Sequence, residues 1–218
     1  MPRIRQLLHP VDPYRDFDHE VSALDLQGWS SNHPIFAQVI AKTRPTLIIE
    51  VGTWKGASAI HMARTAKDEG LRDFEIVCID TWLGSSEHWL KRDDPNFFAS
   101  LRLEHGHPSL YRQFLANVIK SGHADVITPL PLASGAAFEV LHAHRVQADL
   151  IYLDAGHGYA DVRDDIGRYW RLLRPGGIMM GDDYVAAWPG VIRAVAEFSE
   201  RIDQPIRASG PKWLFQKR

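Results

Sequence analysis

Four times along the chain a short aliphatic run ends in an acid. The runs are LIIE at 47–50, EIVCID at 75–80, LIYLD at 150–154 and IMMGD at 178–182. A fifth apolar run, ADVITP, lies at 124–129. Short, nearly continuous aliphatic runs suit strands covered on both faces. Helical patterns separate them, at 57–67, 109–120, near 136–141 and 161–173. In the last, Val162, Ile166, Tyr169 and Leu173 form one stripe, and RPGG at 174–177 reads as its stop. Val191, Ala194, Val195 and Phe198 mark one more amphipathic helix. Strand alternating with helix predicts an α/β fold with a doubly wound, mostly parallel sheet, closed by an antiparallel pair at 206–209 and 213–216. Such sheets bind ligands at the carboxyl ends of their strands. Here those ends carry Glu50, Asp80, Asp154, Asp182 and Asp183.

The 218 residues suit one large domain. Pro2, Pro10 and Pro13 break up the first stretch, so 1–44 reads as an N-terminal arm or cap with a short helix at 36–42, ahead of a domain at 45–218. A formal net charge of -2 gives no field to draw the chain to nucleic acid or an anionic membrane. No run approaches the roughly 20 apolar residues of a membrane span. Cys78 is the only cysteine, so no internal disulfide forms, and its apolar surroundings mark a core thiol. With no apolar leader at the start, the expected compartment is the cytoplasm.

The stretch EVGTWKGAS at 50–58 reads as strand, tight glycine turn and helix start. It is neither GxGxxG nor GxxxxGK[ST], so a pyrophosphate is not its natural ligand. A ligand with an amino-acid end fits better: Glu50 to pair with an ammonium, and turn and helix N–H groups to receive a carboxylate. Asp80, ending the next strand, suits two ribose hydroxyls. Together these demands describe S-adenosylmethionine, with Gly52, Thr53, Gly56, Ser58, Thr81 and Trp82 alongside. The alternative is that the glycines only make a tight turn.

On these residues the chain resembles class I S-adenosylmethionine-dependent methyltransferases, from Pro45 to about Gln216. EVGTWKGAS matches the first motif of that class, and Asp80 its ribose-binding acid. LDAGHGYADVRDDIGRYWRLLRPGGIMMGDDY at 153–184, continued by PGVIRAVAEF, resembles the metal-dependent macrocin-, mycinamicin- and novobiocin-type O-methyltransferases and the cephalosporin hydroxylase-like group. The resemblance implies the Rossmann-like methyltransferase fold, Ser134 at the adenine, Mg²⁺ at the acids and methylation of a small-molecule hydroxyl of sugar or natural-product type. It departs at 81–108, so the acceptor does not carry over.

Asp154, Asp182 and Asp183, converging from neighbouring strands, repel one another unless a cation sits among them. Hard oxygen donors suit Mg²⁺, Mn²⁺ or Ca²⁺, which would hold two acceptor oxygens and acidify one. Asp182 and Asp183 alternatively only cap a turn. His157, in the loop DAGH after Asp154, matches a histidine read as general base in the mycinamicin-type relatives. The competing reading is that it merely orients Asp154. Residues 81–108 are long for a strand-to-helix connection and read as a lid over cofactor and acceptor, with spare aromatics for lid packing or contacts between copies. Two other functions stand against an O-methyltransferase. One is a catalytically idle methyltransferase-like scaffold, which has no need of the acids. The other is an NAD(P)-dependent enzyme, which lacks its glycine pattern.

Overall fold

The computed structural model describes residues 3–20 and 22–218. Met1, Pro2 and Val21, which fall within the segment read as an arm, lie outside the described residues. In chain order the elements are α1 (Arg3–Leu8), α2 (Ile35–Thr43), β1 (Leu47–Val51), α3 (Ala57–Asp68), β2 (Glu75–Ile79), α4 (Ser86–Leu90), β3 (Leu103–Glu104), β4 (His107–Pro108), α5 (Leu110–Lys120) and β5 (Ile127–Leu130). Then follow α6 (Ser134–Ala143), β6 (Ala148–Leu153), α7 (Tyr159–Leu172), β7 (Leu173–Gly181), α8 (Pro189–Ile202), β8 (Arg207–Ser209) and β9 (Lys212–Gln216).

Seven strands form one sheet in the order β5-β2-β1-β6-β7-β9-β8. β9 runs antiparallel to both β7 and β8, and the other pairs are parallel. Alternation along each strand divides the core. Ile48, Cys78, Leu150, Tyr152 and Met180 face α2, α3 and α5. Ile49, Val77, Ile151, Leu153 and Met179 face α6, α7 and α8. Burying both faces explains why the strands read as aliphatic runs without polar alternation.

Two local features depart from the sequence reading. RPGG at 174–177 is not a loop: β7 begins at Leu173, paired with Ala148, and an irregularity in register lets Arg174 to Gly176 bulge outward before Ile178 rejoins Leu150. The segment 81–108 contains α4, a 3₁₀ turn at Phe98–Leu101 and the small hairpin β3–β4.

The N-terminal stretch is tied to the edge of the sheet. The Glu75 carboxylate accepts the first N–H groups of α1, from Arg3 at 2.7 Å and Ile4 at 2.9 Å. The buried Arg5 guanidinium donates to the carbonyls of Ala124 and Ile127, both at 2.6 Å. The Tyr14 hydroxyl reaches Ile127 O at 3.0 Å. Among the described residues no helix is long and apolar enough to cross a membrane.

Candidate active site

Register brings the acids together. Val51 pairs with Ile79 and with Leu153, and Leu153 with Gly181. The residues that follow, Gly52, Asp80, Asp154 and Asp182, therefore leave the sheet at one edge. A cleft of about 500 Å³ opens there. Gly52, Thr53, Ser58, Asp80, Thr81, Ser134, Asp154, His157, Asp182 and Asp183 all line it.

The turn after β1 is built on glycine for a steric reason. Gly52 has φ +85°, and a Cβ there would lie 2.0 Å from the Asp154 carbonyl oxygen. The β1 and β6 loops thus approach closer than any side chain allows. Asp80 holds this turn from the next strand. One carboxylate oxygen accepts the N–H groups of Thr53 (3.0 Å) and Trp54 (2.8 Å), and the other that of Trp82 (2.8 Å). Burial raises the Asp80 pKa, against the lowering effect of these donors. Gly56, also at positive φ, precedes α3, which starts with no side-chain cap. Its first residues, Ala57 and Ser58, line the cleft with N–H groups directed out of the helix end.

Three residues expected at the cofactor, Glu50, Gly56 and Trp82, do not line the cleft. Glu50 is fully buried beneath the turn, bonded to the hydroxyls of Ser58 and Thr53 and 3.6 Å from the Cys78 sulfur. Burial pushes its pKa up to about 8. The Trp82 indole is 1% exposed, packed on Tyr111 and Phe114, with Nε1–H donated to the Trp54 carbonyl at 2.7 Å. Its large apolar ring turns into the core.

At the other end, Asp154, His157 and Asp183 present donor atoms within 4.8 Å of one another. His157 Nε2 lies 2.8 Å from Asp183 Oδ2, and the imidazole packs on Trp188 at 4.3 Å between centroids. Burial works to lower the His157 pKa, but the Asp183 hydrogen bond and charge outweigh it and raise it. Asp182 points away from this trio. It is 7% exposed and forms an ion pair with Lys212, which is wholly buried. The Tyr152 hydroxyl joins the two parts: it lies 2.6 Å from Lys212 Nζ, 2.8 Å from Asp154 Oδ2 and 3.2 Å from Asp182 Oδ2. Burial, then the Asp182 charge, raises the Asp154 pKa. Asp154, Asp182 and Asp183 are neighbours as expected, but Lys212 already neutralises one of them.

Sequence reading missed Lys212 and Tyr152. The available signal was a lysine opening the apolar strand KWLFQ, since a buried lysine needs a partner. It also missed Trp29 of the arm, which lines the cleft with Trp54, His88 and Phe97. The arm is anchored by Asp25, whose carboxylate meets Lys55 at 2.8 Å and Arg102 at 3.1 Å. Gln27 adds a bond from the Trp54 indole at 3.0 Å.

A sheet in this strand order, with its penultimate strand reversed and a glycine turn after β1, is the Rossmann-like fold of class I methyltransferases. A family model described as a methyltransferase domain matches residues 49–184. The chain belongs to that family and is an S-adenosylmethionine-dependent methyltransferase. No curated protein matches it. Among solved structures, the O-methyltransferase NovP is similar with a TM-score of 0.64 at 19% identity, over 94% of this chain and 86% of that one. TomG from Streptomyces achromogenes, involved in tomaymycin synthesis and solved in complex with S-adenosylmethionine, gives 0.61 at 14% identity over 94% and 88%. An O-methyltransferase from Bacillus cereus in complex with S-adenosylhomocysteine gives 0.56 at 15% over 98% and 96%.

Proposed function

We propose that the protein moves a methyl group from S-adenosylmethionine to a hydroxyl oxygen of a small molecule, assisted by a divalent cation. The observation that carries this is the single cleft with the glycine turn and Asp80 at one end and Asp154, His157 and Asp183 at the other. O-methyltransferases among the similar folds support the choice of oxygen.

The residues suit both groups. The narrow Gly52 turn, the uncapped start of α3, Asp80, Thr81 and Ser134 would hold the cofactor. Asp154 and Asp183 would hold the cation, hard oxygens fitting Mg²⁺ or Mn²⁺, with Asp182 bracing them through Tyr152 and Lys212. Bound there, the cofactor supplies an electrophilic methyl on a sulfonium, and the cation lowers the pKa of the hydroxyl. His157 takes the hydroxyl proton. With Nε2–H donated to Asp183, its lone pair is on Nδ1, and Trp188 fixes the ring plane. The hydroxyl oxygen would receive the methyl, and its proton would pass to His157 Nδ1. Gly28 to Ser31 of the arm complete the wall of the cleft, and 81–108 acts as a lid over it.

The test combines calorimetry with a labelled-methyl assay. S-adenosylmethionine should bind, and Asp80→Ala should weaken it by about tenfold or more. EDTA should abolish transfer and Mg²⁺ restore it. Unchanged turnover in excess EDTA would remove the cation from the proposal.

A further inference from the structure

The cofactor end and the acid end leave one wall of the cleft for the acceptor, and that wall is made of rings. Trp29 comes from the arm, Trp54 from the glycine turn, and His88 and Phe97 from the 81–108 segment. Trp54 and His88 stack at 4.2 Å between centroids, and Trp29 lies 5.7 Å from Phe97 and 6.1 Å from Trp54. Trp188 also lines the cleft, packed on His157. Trp29 lines the cleft and keeps 48% of its surface exposed despite these contacts, so it is open to a ligand.

The polar side chains beside these rings are Ser30, Ser31, Ser85, Glu87 and Lys91, and most are engaged within the wall: Ser31 Oγ donates to the Trp29 carbonyl at 3.3 Å. Among the described residues no Asn, Gln or Arg lines the cleft. Lys91 is paired with Glu87 at 3.3 Å and lies over Phe97 at 4.3 Å. The Ser85 hydroxyl is held by His88 Nδ1 at 2.7 Å. That nitrogen also accepts the Ser85 N–H, so the proton of the neutral ring is on Nε2, which has no partner. Burial keeps the imidazole neutral by lowering its pKa to about 4. A sugar carries hydroxyls around its whole ring, and each one buried against these rings would need a partner, whereas most polar groups of the wall are already paired with one another. A flat conjugated ring needs only faces to stack on.

We infer that the acceptor is a hydroxylated aromatic ring compound rather than a sugar, and that Trp29 and Phe97 select it by stacking. This rests on the methyl-transfer reading above and adds the substrate class. The two are separable, because the reading requires cofactor binding and the inference requires ring preference.

The full chain is loaded with S-adenosylmethionine and Mg²⁺ and offered catechol, a naphthalene with adjacent hydroxyls, and methyl rhamnoside. Initial rates follow label transfer, and calorimetry on the S-adenosylhomocysteine-loaded protein measures acceptor binding independently of turnover. The aromatic diols should bind and react at least about tenfold better than the rhamnoside. Trp29→Ala should raise their KM about tenfold with kcat changed less than about threefold, and Trp29→Phe should recover most of the loss. Cofactor affinity should not move in either variant. Equal or better binding of the rhamnoside overturns the inference while methyl transfer stands, as does a Trp29→Ala variant with unchanged KM for the diols. Failure of S-adenosylmethionine to bind overturns the reading beneath it as well.

Discussion

Glu50 and Lys212 are both fully buried charged residues at the base of the cleft, and their surroundings treat them differently. Glu50 has hydroxyls and a thiol for neighbours and, among the described residues, no ion-pair partner, so burial raises its pKa to about 8. A folded-state pKa above the unfolded value means the folded protein holds a proton that the unfolded chain releases. That contribution to stability is complete below about pH 4.5 and is lost as pH rises toward about 8. Thermal melts of the cofactor-free protein should therefore show stability falling across this window, with a flatter profile for Glu50→Gln. Parallel profiles for the two proteins would contradict the assignment. Lys212 instead has a full partner in Asp182. Lys212→Met leaves that carboxylate buried without its countercharge, at a cost of about 3–5 kcal/mol. Adding Asp182→Leu should return most of it, because the orphaned charge goes too. A double variant no more stable than Lys212→Met would mean that the lysine acts by packing and not by charge.

At the scale of elements, the strands were legible because each is buried on both faces, and the helices because one stripe of each is apolar. Edges were less so. The helix stop at RPGG became part of β7, since pairing with β6 continues through a bulge that no local pattern announces. The acids at the strand ends were legible as a group, but the direction of each side chain was not. Asp182 and Asp183 are adjacent, so they point apart: one to Lys212, the other to His157. The glycine turn was legible as a turn, while its closeness to the β6 loop was not. Gly52→Ala tests that closeness. Its Cβ would meet backbone at 2.0 Å, at a φ of +85° that alanine disfavours. The expected result is a loss of more than about 2 kcal/mol in denaturant unfolding together with loss of cofactor binding. A stable Gly52→Ala protein with normal affinity would show that the two loops can part without harm.

For the whole molecule, the N-terminal stretch does two jobs at two places. Near its start it supplies donors to carbonyls at the open edge of the sheet, where β5 has no further strand: Arg5 and Tyr14 to Ile127, and the His9 ring at 2.7 Å from Pro129 O. Uncovered sheet edges recruit other chains. A variant lacking residues 1–20 should thus self-associate in sedimentation experiments at concentrations where the full chain does not. If it stays unassociated, the edge is protected by something other than this stretch. Farther along, Gly28 to Ser31 close one side of the cleft, which joins cleft shape to the docking of a segment with no strand of its own.

By itself, the sequence determined the doubly wound sheet, the glycine corner and the set of acids at the strand ends. These follow from periodicity, turn chemistry and strand length, which act between near neighbours in the chain. Only the tertiary structure decided which acid is paired with a lysine, that Glu50 and the Trp82 ring are buried, and that Lys212 and Trp29 belong to the site. Those outcomes depend on contacts such as Lys212 with Asp182, 30 residues apart, and Asn117 with the Asp25 carbonyl, 92 apart. A side chain's charge state and direction are set by whatever the fold packs around it, and no local pattern carries that information.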